Sequence, residues 1–415
     1  MTLSFGFGAG SQSVSVPEEN LLGVLHMNPA APERTGQEAV GYALENPIGL
    51  ARLSEIVPKS KKIAIVTSDI SRPCPSWDIL PPLLAELERG GVDLADVTLV
   101  FGLGSHRHQT EAEMRHLAGP AFDRIRCVDS DCNDCIRMGV TGRGTPVDIT
   151  RVVAEADFRI CLGNVEYHYF AGYSGGAKAI MPGVSSRDAI QANHQMMVQN
   201  EACAGRLEGN PLRMDIEEAG RICGIHYIVN VVLDEHKQII FAAAGDVTAA
   251  HRAGCRYLDT LYRKTIPQRA DIVLVSQGGA PKDLNLYQTQ KALDNAKHAV
   301  RPGGIIILIG SCKEGLGEKC FERWIQEAKC SHDLIDRVQT HFELGGHKAA
   351  AIAMVLENAR IFLVSEMDPE LVRKCFLEPY SSAQKALDDA FAILGNNATV
   401  LAMPYGGSTL PIVEQ

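Results

Sequence analysis

Apolar residues in this chain follow two habits. In some stretches they form short continuous runs, and in others they recur every three or four positions. The runs at residues 61–68 (KKIAIVTS), 97–103 (VTLVFGL), 157–163 (DFRICLG), 271–276, 304–310 (GIIILIG) and 360–365 read as buried strands of parallel sheets. Helical spacing marks residues 77–89, 111–117, 247–263, 285–299, 321–328, 347–358 and 382–394, the first with Pro75, Pro81 and Pro82 near its beginning. Residues 3–16 alternate apolar and polar, which predicts a strand or hairpin. Residues 35–56 predict a helix that turns Leu44, Ile48, Leu50 and Leu53 inward. Residues 225–243 predict two strands joined at Asp234-Glu235-His236, and residues 267–270 a linker.

This rhythm predicts an α/β fold: two α/β domains with largely parallel sheets and an active-site cleft between them. The expected division is 1–268 and 269–397, with the tail 398–415 returning to the first domain. In such sheets ligands bind at the carboxyl ends of strands. The polar residues of interest all follow strands, at residues 68–73, 104–107 and 164–178, so three loops are expected to meet on one rim.

Composition narrows the class. The chain has 415 residues, 46% hydrophobic and 22% charged, as in an ordinary soluble protein. A net charge of -10 argues against a nucleic-acid partner. The first ten residues have no basic stretch followed by an apolar run, and no apolar stretch is long enough to span a bilayer. Twelve scattered cysteines then predict reduced thiols and a cytoplasmic protein. Cys132 and Cys135 form a CxxC without a second pair, which is weak evidence for zinc.

The densest chemistry lies at residues 166–197, EYHYFAGYSGGAKAIMPGVSSRDAIQANHQMM. Gly175 and Gly176 before Lys178 allow the backbone to approach a bound group. Lys178 can serve as a cation or, if its pKa is lowered, as a nucleophile. His168 and His194 can each be a base or a metal ligand. Plainer roles are open to all of them. His168, among Tyr167, Tyr169 and Phe170, could be a core histidine; His194 a surface one; Asp69 a helix cap; Arg72 a surface arginine. Lys178 could be an ordinary phosphate-binding lysine, although no GxxxxGK[ST] pattern is present. Gln288 and Lys291 stand three apart on one helical face, as any solvated helix allows.

Taken in order, SDISRP (68–73), GSHR (104–107), HYFAGYSGGAKAIMPG (168–183), NH (193–194), LYQTQKAL (286–293) and PYGGSTLP (404–411) resemble the nickel-dependent lactate racemase family over nearly the whole chain. The resemblance implies a 2-hydroxy-acid racemase or epimerase. Its cofactor would be a nickel pincer nucleotide (pyridinium-3,5-bisthiocarboxylic acid mononucleotide nickel) supplied by cofactor-making enzymes. Lys178 matches the lysine that can attach it, with Asp69, Gly175 and Gly176 beside it, and His194 matches the nickel ligand. His106 and His168 match a paired acid and base; His108 is expected to be peripheral. Arg72, Tyr287, Gln288 and Lys291 match substrate-binding residues. The implied reaction removes hydride from C2 to the metal-bound ring, giving a flat 2-keto acid that can be reduced on either face, while a histidine takes the hydroxyl proton. Two departures stand out: Ala177, where some relatives carry a basic residue, and Glu166, a charge that would tune specificity. The alternatives are a non-catalytic nucleotide or small-acid binder, and a metal hydrolase built on His106, His108 and His168.

Overall fold

The computed structural model describes residues 1–59 and 61–414. Its contacts divide the chain into two units, one of Pro29–Leu261 and one of Met1–Asn28 with the chain from Tyr262 onward.

The first unit is built on a six-stranded sheet. Its strands in chain order are β1 (Ile63–Ser68), β2 (Val97–Gly102), β3 (Arg126–Asp129), β4 (Phe158–Asn164), β5 (Tyr227–Leu233) and β6 (Ile239–Gly245). They lie side by side in the order β6-β5-β4-β1-β2-β3. All neighbours are parallel except the β5–β6 hairpin. β1 and β4 are mostly apolar, and their side chains are buried in both directions along nearly the whole of each strand. Helix α1 (Ser76–Arg89) presents Ile79, Leu80, Leu83, Leu84 and Leu87 to one face, where they pack with Ile63, Ile65, Leu99 and Phe101. Each such side chain contributes about 1.5–3 kcal/mol through burial. Two further helices matter to the site: α2 (Pro211–Cys223) and α3 (Val247–Tyr262).

The second unit carries a six-stranded sheet that is parallel throughout, in the order Glu378–Tyr380, Ala359–Val364, Val300–Ile309, Ala270–Ser276, Val400–Met403, Leu21–Val24. The hairpin Thr2–Phe7 and Gly10–Ser15 packs Leu3, Phe5 and Val14 into its core with Ile272, Leu274 and Ile307.

Several expectations change. The tail does not join residues 29–261: Val400–Met403 is an inner strand of the second sheet, between Ala270–Ser276 and Leu21–Val24, and Gln415 lies outside the described residues. The opening segment to Asn28 belongs with it. Residues 35–56 are not one helix, because Gly36–Glu45 stops at Asn46, the residue before Pro47. Ile48 instead bridges to Gly245, Leu50 stays exposed, and a single turn resumes at Leu53–Ile56. Residues 285–299 form three short turns in succession, Leu286–Thr289, Gln290–Ala292 and Leu293–Ala296.

Candidate active site

The carboxyl ends of β1, β2 and β4 release the three loops of the first unit that bear the polar residues. Asp69 follows β1 and is nearly fully buried. His106, after β2, places Nδ1 2.6 Å from Asp69 Oδ2, and Ser71 Oγ donates to Asp69 Oδ1 at 2.7 Å. Burial opposes ionisation of Asp69, but the hydrogen bonds from His106 and Ser71, with the nearby Arg72 guanidinium, outweigh it and hold the carboxyl below its ordinary value. An ionised acceptor at that distance puts the imidazole proton on Nδ1. Nε2 of His106 is therefore the basic atom.

Gln109 braces the two loops. Its Oε1 accepts the Ile70 amide at 2.8 Å, while its own amide nitrogen donates to Asp129 at 2.9 Å. His108 turns away to Asp129, with Nδ1 3.2 Å from Oδ2, and is exposed as expected of a peripheral residue. Among the described residues no three His, Cys, Asp or Glu side chains converge on a metal position, so the hydrolase reading finds no ligand set there.

After β4 the chain makes a two-residue-per-strand hairpin, Tyr167–His168 against Gly172–Tyr173. Both tyrosine hydroxyls donate to Asp259 Oδ1 of α3, at 2.8 and 2.7 Å, which pins the hairpin. Gly172 has φ +76°, and a Cβ there would lie 2.1 Å from the Arg206 carbonyl oxygen. His168 Nδ1 accepts the Ala171 amide at 3.3 Å, which requires a bare Nδ1 and places the neutral ring's proton on Nε2. The two imidazoles are thus set oppositely.

Phe170 is the hub. Its ring lies 4.4 Å from His168 and 5.0 Å from His194, both edge-on, and 5.7 Å from Lys178 Nζ. His194 ends the helix Arg187–His194, which Ser186 caps, and is 7% exposed, which removes the surface-polar reading. Part of the Lys178 side chain is accessible, yet its amine is surrounded by protein. Burial first, and then the guanidiniums of Arg72 and Arg213, push its pKa well below the ordinary lysine value, with Glu166 opposing. The structure therefore brings Asp69, His106, Arg72, His168, Lys178 and His194 onto one rim of the first unit. Tyr287, Gln288 and Lys291 belong to the second unit and form a group of their own, on the turns that begin at Leu286. There Lys348 Nζ, which sequence reasoning missed, lies 4.2 Å over the Tyr287 ring.

The glycine pair has a packing reason besides the one read from the sequence. A Cβ on Gly175 would meet Asn230 Oδ1 at 2.8 Å, and one on Gly176 would meet Arg213 at 2.9 Å and the His251 ring at 3.0 Å. Both have positive φ, +75° and +59°. The protein's own side chains fill the space, so close packing inside the unit demands glycine. Ala177 is buried against Gly220, where an added Cβ would come 2.7 Å from the Ala177 Cβ; a basic side chain would not fit. The turn after Lys178 is tied to the end of β2: Gly104 N donates to the Gly183 carbonyl at 2.8 Å, and Ser130 Oγ donates to the same carbonyl at 3.5 Å while accepting from Leu103 N at 3.0 Å.

Residues 7–205 match the family model described as "Lactate racemase N-terminal domain", and residues 265–410 match "Lactate racemase C-terminal domain". The chain is 32% identical to a lactate racemase of Thermoanaerobacterium thermosaccharolyticum, over 97% of each protein. It is 31% identical to a lactate racemase of Lactiplantibacillus plantarum, over 95% of this chain and 96% of that one. The solved structure of the T. thermosaccharolyticum lactate racemase apoprotein superposes with a TM-score of 0.88 at 30% identity, covering all of both chains. With both halves matched and near-complete alignment to two such enzymes, this chain belongs to the lactate racemase family.

Proposed function

We propose that this protein is a 2-hydroxy-acid racemase or epimerase of the lactate racemase kind, working with a nickel pincer nucleotide. The observation that carries the reading is the grouping of His168, His194 and Lys178 around Phe170, on the rim that also holds the Asp69–His106 pair. The donor set fits the cofactor. One buried imidazole and one desolvated amine are too few for a protein-made metal shell, and they suit a nickel ion whose other donors arrive with the nucleotide. His194 would be the metal ligand and Lys178 the attachment point. When bound, the group supplies the hydride acceptor that no side chain can offer.

The chain's own residues handle protons and placement. His106 Nε2, left bare while Asp69 engages Nδ1, takes the hydroxyl proton of one enantiomer. His168 would play the matching part for the other enantiomer, a proton being returned to the keto oxygen only by whichever ring has become imidazolium. Arg72 would hold the carboxylate. A substrate-binding role is proposed also for Tyr287, Gln288 and Lys291, with a raised KM expected for Lys291→Ala. The same reading includes a reduced, cytoplasmic setting.

Nickel analysis and intact-mass measurement on protein co-expressed with cofactor-making enzymes test the assignment. Lys178→Ala should lose the added mass and His194→Ala the nickel; nickel retained in both variants would overturn it. Activity is tested by isotope exchange. One enantiomer in heavy water should yield racemate with little solvent label at C2, and full labelling would point instead to proton abstraction.

A further inference from the structure

Against the backbone of the Lys178 loop lies a buried polar cluster that the proposed mechanism does not use. Arg213 of α2 is 1% exposed, and His251 of α3 is fully buried. The Arg213 guanidinium donates to the Tyr173 carbonyl at 3.2 Å and the Gly175 carbonyl at 3.5 Å. His251 Nε2 bonds the Ser174 carbonyl at 2.8 Å. Asn230 Oδ1 accepts the Gly176 amide at 2.8 Å, and Asn210 Nδ2 donates to the Phe170 carbonyl at 2.8 Å. Carbonyls 173, 174 and 175 in succession are thus held by two side chains far along the chain.

The cluster is internally consistent. With Nε2–H donating to Ser174, Nδ1 of His251 is bare, and it receives Arg213 Nη2 at 3.0 Å and Arg252 Nη1 at 3.1 Å. Burial and the Arg213 charge keep that imidazole neutral, well below its ordinary pKa. Glu217 balances both guanidiniums, at 2.8 Å from Arg213 Nε and 2.8 Å from Arg252 Nη1. Buried charge of this kind is costly for stability alone. A loop that only needed filling could be packed with apolar side chains.

We propose that Arg213 and His251 are positioning residues that lock the backbone of residues 173–176 and thereby fix where the Lys178 amine stands. The planar fork of Arg213 reaches two carbonyls, an imidazole and a carboxylate at once, which lysine cannot reproduce. Arg213 also adds positive charge near the amine, alongside Arg72 and against Glu166. The inference uses the proposed role of Lys178, but its test does not depend on racemase activity.

Trace acetylation of the cofactor-free full-length chain with acetic anhydride over a pH series, read by peptide mass spectrometry, gives the titration midpoint of Lys178 beside that of other lysines in the same molecule. Lys178 should titrate below them. Arg213→Met should raise its midpoint, slowing labelling at fixed neutral pH by about tenfold per unit. His251→Leu should also raise it, while His251→Gln, which keeps a donor for the Ser174 carbonyl, should restore it. Folded Arg213→Met and His251→Leu proteins with an unmoved Lys178 midpoint would overturn the proposal. If Arg213→Met does not fold, the two His251 variants decide alone: a Leu midpoint equal to the Gln midpoint counts against it. A racemase reading that failed for other reasons would leave these midpoints as expected.

Discussion

At the level of single residues, the site depends on which nitrogen of each histidine is already engaged. Asp69 holds Nδ1 of His106 and leaves Nε2 basic. Asp69→Asn should therefore lower the racemisation rate of cofactor-loaded enzyme by about 10²–10⁴ with a smaller effect on KM, since the loss is of a proton acceptor. The pH sign follows from the depressed Asp69 pKa: the interaction is present above the ordinary carboxylate range and is lost only as pH falls through the lowered value. Away from the site, Glu86 is 3% exposed and holds Arg52, Ser54 and Arg89. Burial opposes its ionisation, but the bonds from Arg52 and Ser54 dominate and hold its pKa at about 2. Glu86→Gln should cost about 2–3 kcal/mol in urea unfolding at neutral pH. The cost should shrink as pH falls through the Glu86 value, because the wild type then loses the same charge. The residues that bind or react could be found in sequence by motif. Their partners could not: Gln109, Arg213 and His251 carry no local signature, since each acts on a loop distant along the chain.

The elements of the site show the same division. The continuous apolar runs gave β1, β2 and β4 closely, because a strand buried on both faces has little freedom in its pattern. The reading failed where the pattern was ambiguous or overridden. Pro47 broke the helix expected at residues 35–56, and the helices Pro211–Cys223 and Ser331–Thr340 were not foreseen. The glycines also have a packing reason that their sequence context does not carry, since Asn230, Arg213 and His251 fill the space a Cβ would take. The Pro182-Gly183 turn is equally constrained, since a Cβ on Gly183 would sit 2.2 Å from the Ala179 carbonyl oxygen. Gly183→Ala should lower the thermal midpoint through a loss of about 1–3 kcal/mol. It should also reduce cofactor loading, because this turn joins the Lys178 loop to the strand that delivers His106.

For the whole molecule, sequence gave two α/β halves but misplaced both ends. The rhythm of runs and helices says how many strands there are. It does not say which sheet a terminal strand joins, because edge pairing is decided by tertiary contacts. Deleting residues 1–28 should therefore damage the second unit first. Hydrogen exchange should show lost protection across Ala270–Ser276 and Val400–Met403 while β1 and β4 stay protected; equal loss in both sheets would contradict the division.

That strand order also has a consequence for biosynthesis. Leu21–Val24 emerges from the ribosome early, yet its one sheet neighbour among the described residues, Val400–Met403, is made long after it. Residues 29–261 hold all the strands of their own sheet and can mature during translation. The opening segment must meanwhile wait with an unpaired edge until Val400–Met403 has been made, so the second sheet closes only after the strands of the first unit are complete, and the waiting edge is open to mispairing.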